Sequence, residues 1–171
     1  MSKSTPLAAY QGADTLAPIC GFILFGAMIN ISLMDVPLLL DTVSDSSQLL
    51  RQWCRLYEFG IRMYPVLSAT TCLIYATAAA ARISAGRPWR VAAAAAAVTL
   101  GMVPFTLVRM QPTIDAMFVL RDLDVVSGET ASLEEVTALV VAWQWQHVVR
   151  SLFPLAGSTL GFLGASGKVA F

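Results

Sequence analysis

Residues 136–164 read VTALVVAWQWQHVVRSLFPLAGSTLGFLG, and this stretch decides the fold. It is longer than the roughly 20 apolar residues that a helix needs to cross a bilayer core. Its only titratable side chains are those of His147 and Arg150, which lie one helical turn apart and therefore project from the same side of a helix. Ionisable groups at membrane depth are costly, rare and commonly functional, so this pair is the first candidate site.

Three other stretches of the chain are also apolar and long enough to span a bilayer. Backbone polar groups in lipid must bond within their own segment, so each stretch is expected to be a helix. The sequence therefore predicts an all-α fold, an antiparallel four-helix transmembrane bundle, in a single membrane domain over residues 1–171. The predicted helices cover residues 16–40, 50–81, 90–109 and 133–164.

The third connection, after residue 109, is predicted to be long and acidic, with a half-buried first part and a solvated second part. Ser132 and Glu135, three residues apart at its end, match the capping box that begins a helix.

The composition excludes several classes of protein. The chain is 57% hydrophobic and 13% charged, whereas soluble domains are about 45–50% apolar and about 25% charged. A net charge of +0 gives no basic surface for nucleic acid. Cys20, Cys54 and Cys72 form no CxxC pair, which argues against a dithiol oxidoreductase. A lone histidine cannot supply two axial ligands to a haem, and no metal-binding spacing, phosphate loop or serine–histidine–carboxylate motif is present.

The loop between the second and third spans carries Arg82, Arg87 and Arg90. Four spans place this loop on the same side as both termini, and the positive-inside rule then favours cytosolic termini. The alanine run at residues 92–97 forms a smooth helix face that favours close helix packing. Packing within the bundle is the favoured interpretation of this face, and a homo-oligomer is the alternative.

A belt of polar residues is predicted at one depth, because the helical rise places its members about 21–28 Å from the arginine-rich side. For Arg62 and Arg109 the simpler interpretation is a side chain that snorkels to the interface. His147 and Arg150 share their face with Trp143, which favours function. The belt members are Asp35, Arg62, Arg109, His147 and Arg150. Aromatic residues at the same level are either an interfacial belt or the walls of an apolar pocket.

One histidine beside an arginine suits removal of a proton followed by stabilisation of the resulting anion. Neutral imidazole is a competent base near neutral pH. A guanidinium binds a developing oxyanion strongly where water is excluded. Tyr57 and Gln111 are further candidate hydrogen-bonding groups.

These residues fall into three motifs that together resemble a known family. They are Trp53-x-x-x-Tyr57-x-x-Gly60 before Pro65, Pro104-x-Thr106 with Pro112-Thr113, and Trp143-x-x-x-His147-x-x-Arg150-Ser151 before Pro154. The chain resembles, from about Gly21 to Gly164, the anthrone oxygenase-like family of small four-helix integral membrane proteins, which includes fungal polyketide anthrone oxygenases. Ile114 stands where that family usually has asparagine.

The resemblance implies an oxidoreductase of secondary metabolite biosynthesis, a monooxygenase that converts an anthrone-type polycyclic phenol to a quinone with O2 and without metal or flavin. It implies His147 as the base that forms a carbanion and Arg150 as the group that stabilises the anion. The expected partners are a small aromatic polyketide, O2 and the lipid bilayer. In a fungal cell the expected membrane is the endoplasmic reticulum or another endomembrane. The residues expected to bind the substrate are Trp53, Tyr57, Arg109, Thr113 and Trp143.

Two other interpretations stay open. One is a non-catalytic membrane scaffold, or an accessory protein that binds a hydrophobic metabolite. The other is a transport module, although the chain is too short for the usual inverted repeats unless a dimer supplies them.

Overall fold

The computed structural model describes residues 4–128 and 130–169 of the chain. Within this described part all regular structure is helical, and no strand occurs. Seven α-helices and two π-helical turns, π1 and π2, follow one another in the described residues. In chain order they are α1 Ser4–Asn30, π1 Ile31–Asp35, α2 Val36–Thr42, α3 Ser46–Ser84, α4 Arg90–Leu100, α5 Met102–Phe105, π2 Thr106–Met110, α6 Gln111–Ser127 and α7 Leu133–Ala165.

The described residues contain four helical runs that are long and apolar enough to cross a membrane. They are Gly12–Thr42, Ser46–Ser84, Arg90–Ser127 and Leu133–Ala165. The predicted all-α class with four membrane-spanning helices is therefore confirmed. The third run differs most from its predicted bounds, because it continues through α6 to Ser127 instead of ending at residue 109. Pro112 does not break this run, since it occupies the first turn of α6, where the missing N–H costs nothing.

Helix ends follow the expected chemistry. The Asp45 carboxylate accepts a hydrogen bond of 2.7 Å from the Gln48 N–H in the first turn of α3. Ser132 Oγ accepts a hydrogen bond of 3.1 Å from the Glu135 N–H, as the predicted cap of α7 requires. Gly128 ends α6 with a φ of 70°, a conformation that glycine adopts without steric cost.

Each π turn ends two residues before a proline, and the proline explains it. Pro37 and Pro112 lie in the first turns of α2 and α6. A proline has no N–H to donate, and its ring clashes with the carbonyl four residues earlier. A wider turn relieves that clash: the Val36 N–H bonds to the carbonyl of Ile31, five residues back.

The wide turn changes which side chains face the core. Asp35 lies seven residues after the buried Met28, so a regular helix would place the two side chains on the same face. Val36 is buried there instead, and Asp35 is only half-buried. At π2, in the same way, Met110 is buried whereas Arg109, one residue earlier, is exposed.

The chain divides into two compact units, which are named here after one residue of each. The His147 unit comprises Ala27–Tyr64 and Val103–Arg150, and the Arg82 unit comprises the described residues up to Gly26, Pro65–Met102 and those from Ser151 onward. In the His147 unit the early part of α3 contacts the late part of α6, and the two segments run in opposite directions. Ser47 Oγ donates to the Asp124 carboxylate at 2.6 Å, and the ring centroids of Tyr57 and Phe118 are 5.5 Å apart.

Small residues and one ion pair hold the Arg82 unit together. A Cβ added at Gly164 would lie 2.6 Å from Val91, and one added at Gly157 would lie 2.8 Å from the carbonyl oxygen of Ala95. The glycines therefore let α4 and α7 approach closely. Ala92 and Ala95 of the alanine run are buried within this unit.

The ion pair of the Arg82 unit joins Arg82 to Asp14, and both side chains are almost buried. Arg82 Nη2 lies 2.8 Å from Asp14 Oδ2, and the two side chains are 12% and 11% exposed. The same guanidinium donates to the carbonyl oxygens of Pro88 at 2.9 Å and Gly164 at 3.4 Å. One side chain thus satisfies groups on α1, α7 and the loop before α4.

Replacing Arg82 by alanine is expected to lower the free energy of unfolding by about 3–5 kcal/mol, because it leaves the Asp14 carboxylate buried without a partner. The measurement is a denaturant titration in mild detergent, followed by tryptophan fluorescence. Arg51→Ala is the matched control: Arg51 also pairs with an aspartate, Asp124, but is 54% exposed, so its loss should change stability little. Equal effects of the two substitutions would contradict the prediction.

Candidate active site

Aromatic side chains form the centre of the core of the His147 unit. Trp53 is fully buried, and its ring stacks on that of Tyr57 with the centroids 5.5 Å apart. The edge of Trp143 packs against Trp53 at 5.3 Å. Trp53 and Tyr57 are four residues apart in α3, so both project from one face of that helix. Trp53 therefore contacts two of the other predicted substrate-binding residues, Tyr57 and Trp143.

His147 lies against this aromatic cluster and is 2% exposed. Its ring stacks on Trp143, one turn earlier in α7, with the centroids 4.7 Å apart and 28° between the planes. Its Nδ1 lies 3.0 Å from Ser32 Oγ. Among the described residues no hydrogen bond to Nε2 is found.

Ser32 belongs to π1 and was not predicted as a site residue. Its side chain is fully buried, and its carbonyl oxygen accepts a 2.6 Å hydrogen bond from Gln144 Nε2. A serine in an apolar span gives no sign of such a role in the sequence. Pro37 does predict the nearby distortion of the helix, and π turns are frequent at functional sites.

Arg150, one turn after His147, carries a guanidinium without an acidic partner in the described part of the chain. Its Nε is buried and forms no hydrogen bond there. The imidazole of His147 and the phenols of Tyr57 and Tyr64 lie within electrostatic range of this guanidinium. The Arg150 side chain is half-buried. A cation whose Nε is buried without a carboxylate partner is costly, and it is suited to an anion that binds transiently.

Two further donors near His147 lack partners. The indole Nε1 atoms of Trp53 and Trp143 are buried, and neither forms a hydrogen bond within the described residues. Most buried polar groups in proteins are hydrogen-bonded, and each exception calls for an explanation. With Arg150 Nε, the unpaired donors number three, and a ligand rich in oxygen atoms would satisfy them.

The remaining predicted residues lie outside these contacts. Thr113 Oγ1 accepts a 3.0 Å hydrogen bond from Gln146 Nε2, on the helix that carries His147. Arg109 is exposed, as is Arg62, and no described contact links Arg109 to the aromatic cluster. Ile114, where the family usually has asparagine, is buried in the core of the unit. The described residues contain no group of three or more His, Cys, Asp or Glu side chains that could hold a metal ion.

These features define a class: a small four-span membrane protein with one buried histidine held beside an unpaired arginine. Comparison with known sequences shows that the chain belongs to the anthrone oxygenase family, whose model matches residues 53–160. The resemblance seen in its motifs is thereby confirmed. All seven residues predicted for the site lie within the matched range, whereas Ser32 lies outside it.

Several curated fungal proteins are similar to the chain over most of its length. An anthrone oxygenase of Paecilomyces divaricatus is 43% identical, over 89% of this chain and 94% of that protein. An anthrone oxygenase of Aspergillus novofumigatus is 44% identical, over 95% of this chain and 94% of its own length. A noranthrone monooxygenase of Aspergillus flavus is 39% identical, over 94% of this chain and 77% of that protein. No solved structure matches the chain.

Proposed function

We propose that this protein oxidises an anthrone-type polycyclic phenol to the corresponding quinone with O2, without a metal or flavin. The observation that carries the proposal is the geometry of His147, which is buried, held at Nδ1 by Ser32 and unpaired at Nε2. The unpaired guanidinium of Arg150 lies in the same unit. The names of its relatives, anthrone oxygenase and noranthrone monooxygenase, support the same class of reaction.

In the first step, His147 Nε2 removes a proton from the CH2 group that lies between the two aromatic rings of the substrate. The electron pair of that C–H bond spreads into the ring system and onto the oxygen opposite, as a phenolate. Arg150 stabilises this oxygen, because a fixed donor in a water-excluded site is worth more than one in water. The base itself contributes a factor of roughly 10²–10⁴ to the rate.

In the second step, the carbanion transfers its electrons to O2 and a C–O bond forms. The resulting peroxide takes a proton from the His147 imidazolium and becomes a hydroperoxide. His147 then removes the second proton from the same carbon, the O–O bond breaks, a C=O bond forms and hydroxide leaves as water. One O2 is consumed and one water is released, and the substrate supplies all the electrons, so the reaction needs no external reductant.

The substrate rings are proposed to bind against the aromatic cluster. Trp53, Tyr57 and Trp143 offer faces and edges for stacking. The unpaired indole N–H groups of Trp53 and Trp143 are donors for substrate oxygens. Thr113 is proposed to act at the margin of this site, and the assignment of Arg109 to substrate binding stays a prediction from sequence.

The test is to supply an anthrone to the purified protein in detergent and to record O2 uptake and quinone absorbance together. The expected result is equal consumption of O2 and formation of quinone, with one oxygen atom of the product derived from 18O2. Dialysis against a chelator should leave the rate unchanged. Turnover no faster than the spontaneous oxidation in buffer would contradict the proposal, and tight binding without turnover would identify the non-catalytic binding protein instead.

For the membrane topology we propose cytosolic termini in the endoplasmic reticulum or another endomembrane. The arginine-rich loop at residues 82–90 supports this orientation by the positive-inside rule. The terminal residues 1–3 and 170–171 lie outside the described part of the chain. Labelling of single cysteines placed in the loops tests the orientation. If cysteines at residues 85–88 reacted only with a reagent on the lumenal side, the proposed orientation would be wrong.

A further inference from the structure

Ser32 Oγ and His147 Nδ1 are 3.0 Å apart, although the two residues are 115 positions apart in the chain. Both side chains are buried, at 0% and 2% exposure. Within the described residues this is the only hydrogen bond of the Ser32 hydroxyl. We propose that Ser32 is the positioning residue of His147: its hydroxyl fixes the ring so that Nε2 is the nitrogen that meets the substrate. The proposal rests on the proposed function, in which His147 is the base.

A hydroxyl suits both protonation states of the imidazole. It donates or accepts one hydrogen bond by rotating its own hydrogen. In the neutral base Nε2 must be free of hydrogen, so Nδ1–H donates to Ser32 Oγ, and the same bond persists once Nε2 has taken a proton and both ring nitrogens are donors. A carboxylate in this place would hold the imidazolium more tightly, but it would add a charge to a buried site, and burying a charge is expensive. A neutral partner therefore allows the base to take up the proton and return it.

A second contact holds Ser32 itself in place. Its carbonyl oxygen lies in π1 and accepts a hydrogen bond of 2.6 Å from Gln144 Nε2. Gln144 and His147 are three residues apart in α7 and so lie on neighbouring parts of one face. The main chain and the side chain of Ser32 are thus both attached to the same turn of α7. Two points of attachment fix the position of the hydroxyl better than one.

The ring of His147 is also restrained from one side by Trp143, whose plane lies 28° from that of the imidazole. Stacking limits how far the ring tilts, and the bond at Nδ1 limits how far it rotates. Which ring nitrogen carries the proton is set by the hydrogen bond that the other makes. The Ser32 hydroxyl thus helps to set both the orientation and the tautomer of the base.

The first test uses the fact that the chain contains only one histidine. With 15N-labelled histidine, the protein in detergent gives one pair of ring nitrogen signals, which report the tautomer and the hydrogen bond at Nδ1. Ser32→Ala is expected to shift the Nδ1 signal and change the tautomer ratio. Ser68→Ala is the matched control, because Ser68 is also buried but bonds to Met102 Sδ, at 3.4 Å, in the Arg82 unit. An unchanged histidine spectrum in folded Ser32→Ala would overturn the proposal.

The second test is kinetic. Ser32→Ala is expected to lower kcat by about 10- to 100-fold, the range found when the partner that orients a metal-binding histidine is removed. KM should change less than threefold, roughly, because the hydroxyl does not touch the substrate. Ser32→Thr keeps the hydroxyl and should recover most of kcat, and Ser68→Ala should be active. A loss expressed in KM alone, or an active Ser32→Ala, would refute the positioning role.

The two tests separate this proposal from the proposed function. An inactive wild-type protein would overturn the oxygenase, while the histidine spectrum would still report whether Ser32 holds the ring. If Ser32→Ala fails to fold, Ser32→Cys replaces it, since the thiol has nearly the same size and is a weak hydrogen-bonding group. The kcat of Ser32→Cys should then lie between that of the wild type and that of an inactive protein. A wild-type kcat together with an unchanged histidine spectrum would refute the proposal.

Discussion

Turnover of an anthrone by the His147→Gln protein is expected to be roughly 10²–10⁴-fold slower than that of the wild type, the range that a general base contributes. Glutamine is similar in length and can still bond to Ser32, but it has no basic nitrogen to accept the proton. The fold should survive, because the aromatic packing around Trp53 and Trp143 does not depend on a charge at this position. O2 uptake and quinone absorbance give the rate, and circular dichroism with tryptophan fluorescence checks the fold.

Chemical rescue makes this result specific to a base. His147→Ala leaves space where the ring was, and added imidazole should restore part of the turnover in proportion to its neutral form. No rescue is expected for the glutamine variant, whose side chain fills that space. A folded His147→Gln protein with more than about a tenth of wild-type turnover would eliminate His147 as the base, since a general base contributes far more than that.

Arg150→Gln is expected to reduce turnover by roughly 10²–10³-fold, the usual loss when one donor to a developing oxyanion is removed. The same substitution should leave stability unchanged or raise it. Arg150 is a half-buried cation whose buried Nε has no partner in the described structure, so its removal relieves a desolvation cost and breaks no ion pair. Turnover and a denaturant titration in detergent, measured on the same preparation, test both halves of the prediction.

Arg62→Gln is the matched control for Arg150→Gln, because both residues belong to the predicted polar belt. Arg62 is exposed in the His147 unit, so its loss should change neither turnover nor stability. Arg150→Lys should recover only part of the rate, since an ammonium does not reproduce the planar donor geometry of a guanidinium. If Arg150→Gln unfolded the protein, Arg150 would be a structural residue and the anion-stabilising role would be wrong.

Much of the fold follows from hydrophobic length alone, because four apolar stretches in a bilayer have few alternatives to helices. The neighbouring positions of Trp143, His147 and Arg150 on one face follow from helical spacing. The family motifs also brought Trp53 and Tyr57 into the predicted site, where the structure places them in contact with each other. These predictions depend on periodicity within single helices.

Contacts between distant segments were harder to foresee. Ser32 reaches His147 from a different span, and nothing in the local sequence of either residue encodes that pairing. For Arg109 the sequence allowed both an interfacial and a substrate-binding position, since depth along a helix does not reveal which way a side chain turns, and the structure shows it exposed. The continuation of the third run to Ser127 was missed because prolines and acidic residues resemble a loop when tertiary packing is unknown.

The wide turn before Pro37 also affects how many residues this part of the chain needs. Because π1 contains one residue more than a regular turn, removing a single residue between Met28 and Val36 would restore regular winding and keep both in the core. The proline at the start of α2 would then clash with the turn before it. Relatives that lack this proline are therefore expected to be one residue shorter in this segment. In an alignment, the difference between a helix with the π turn and a regular helix would then show as a gap of one residue and not as a substitution.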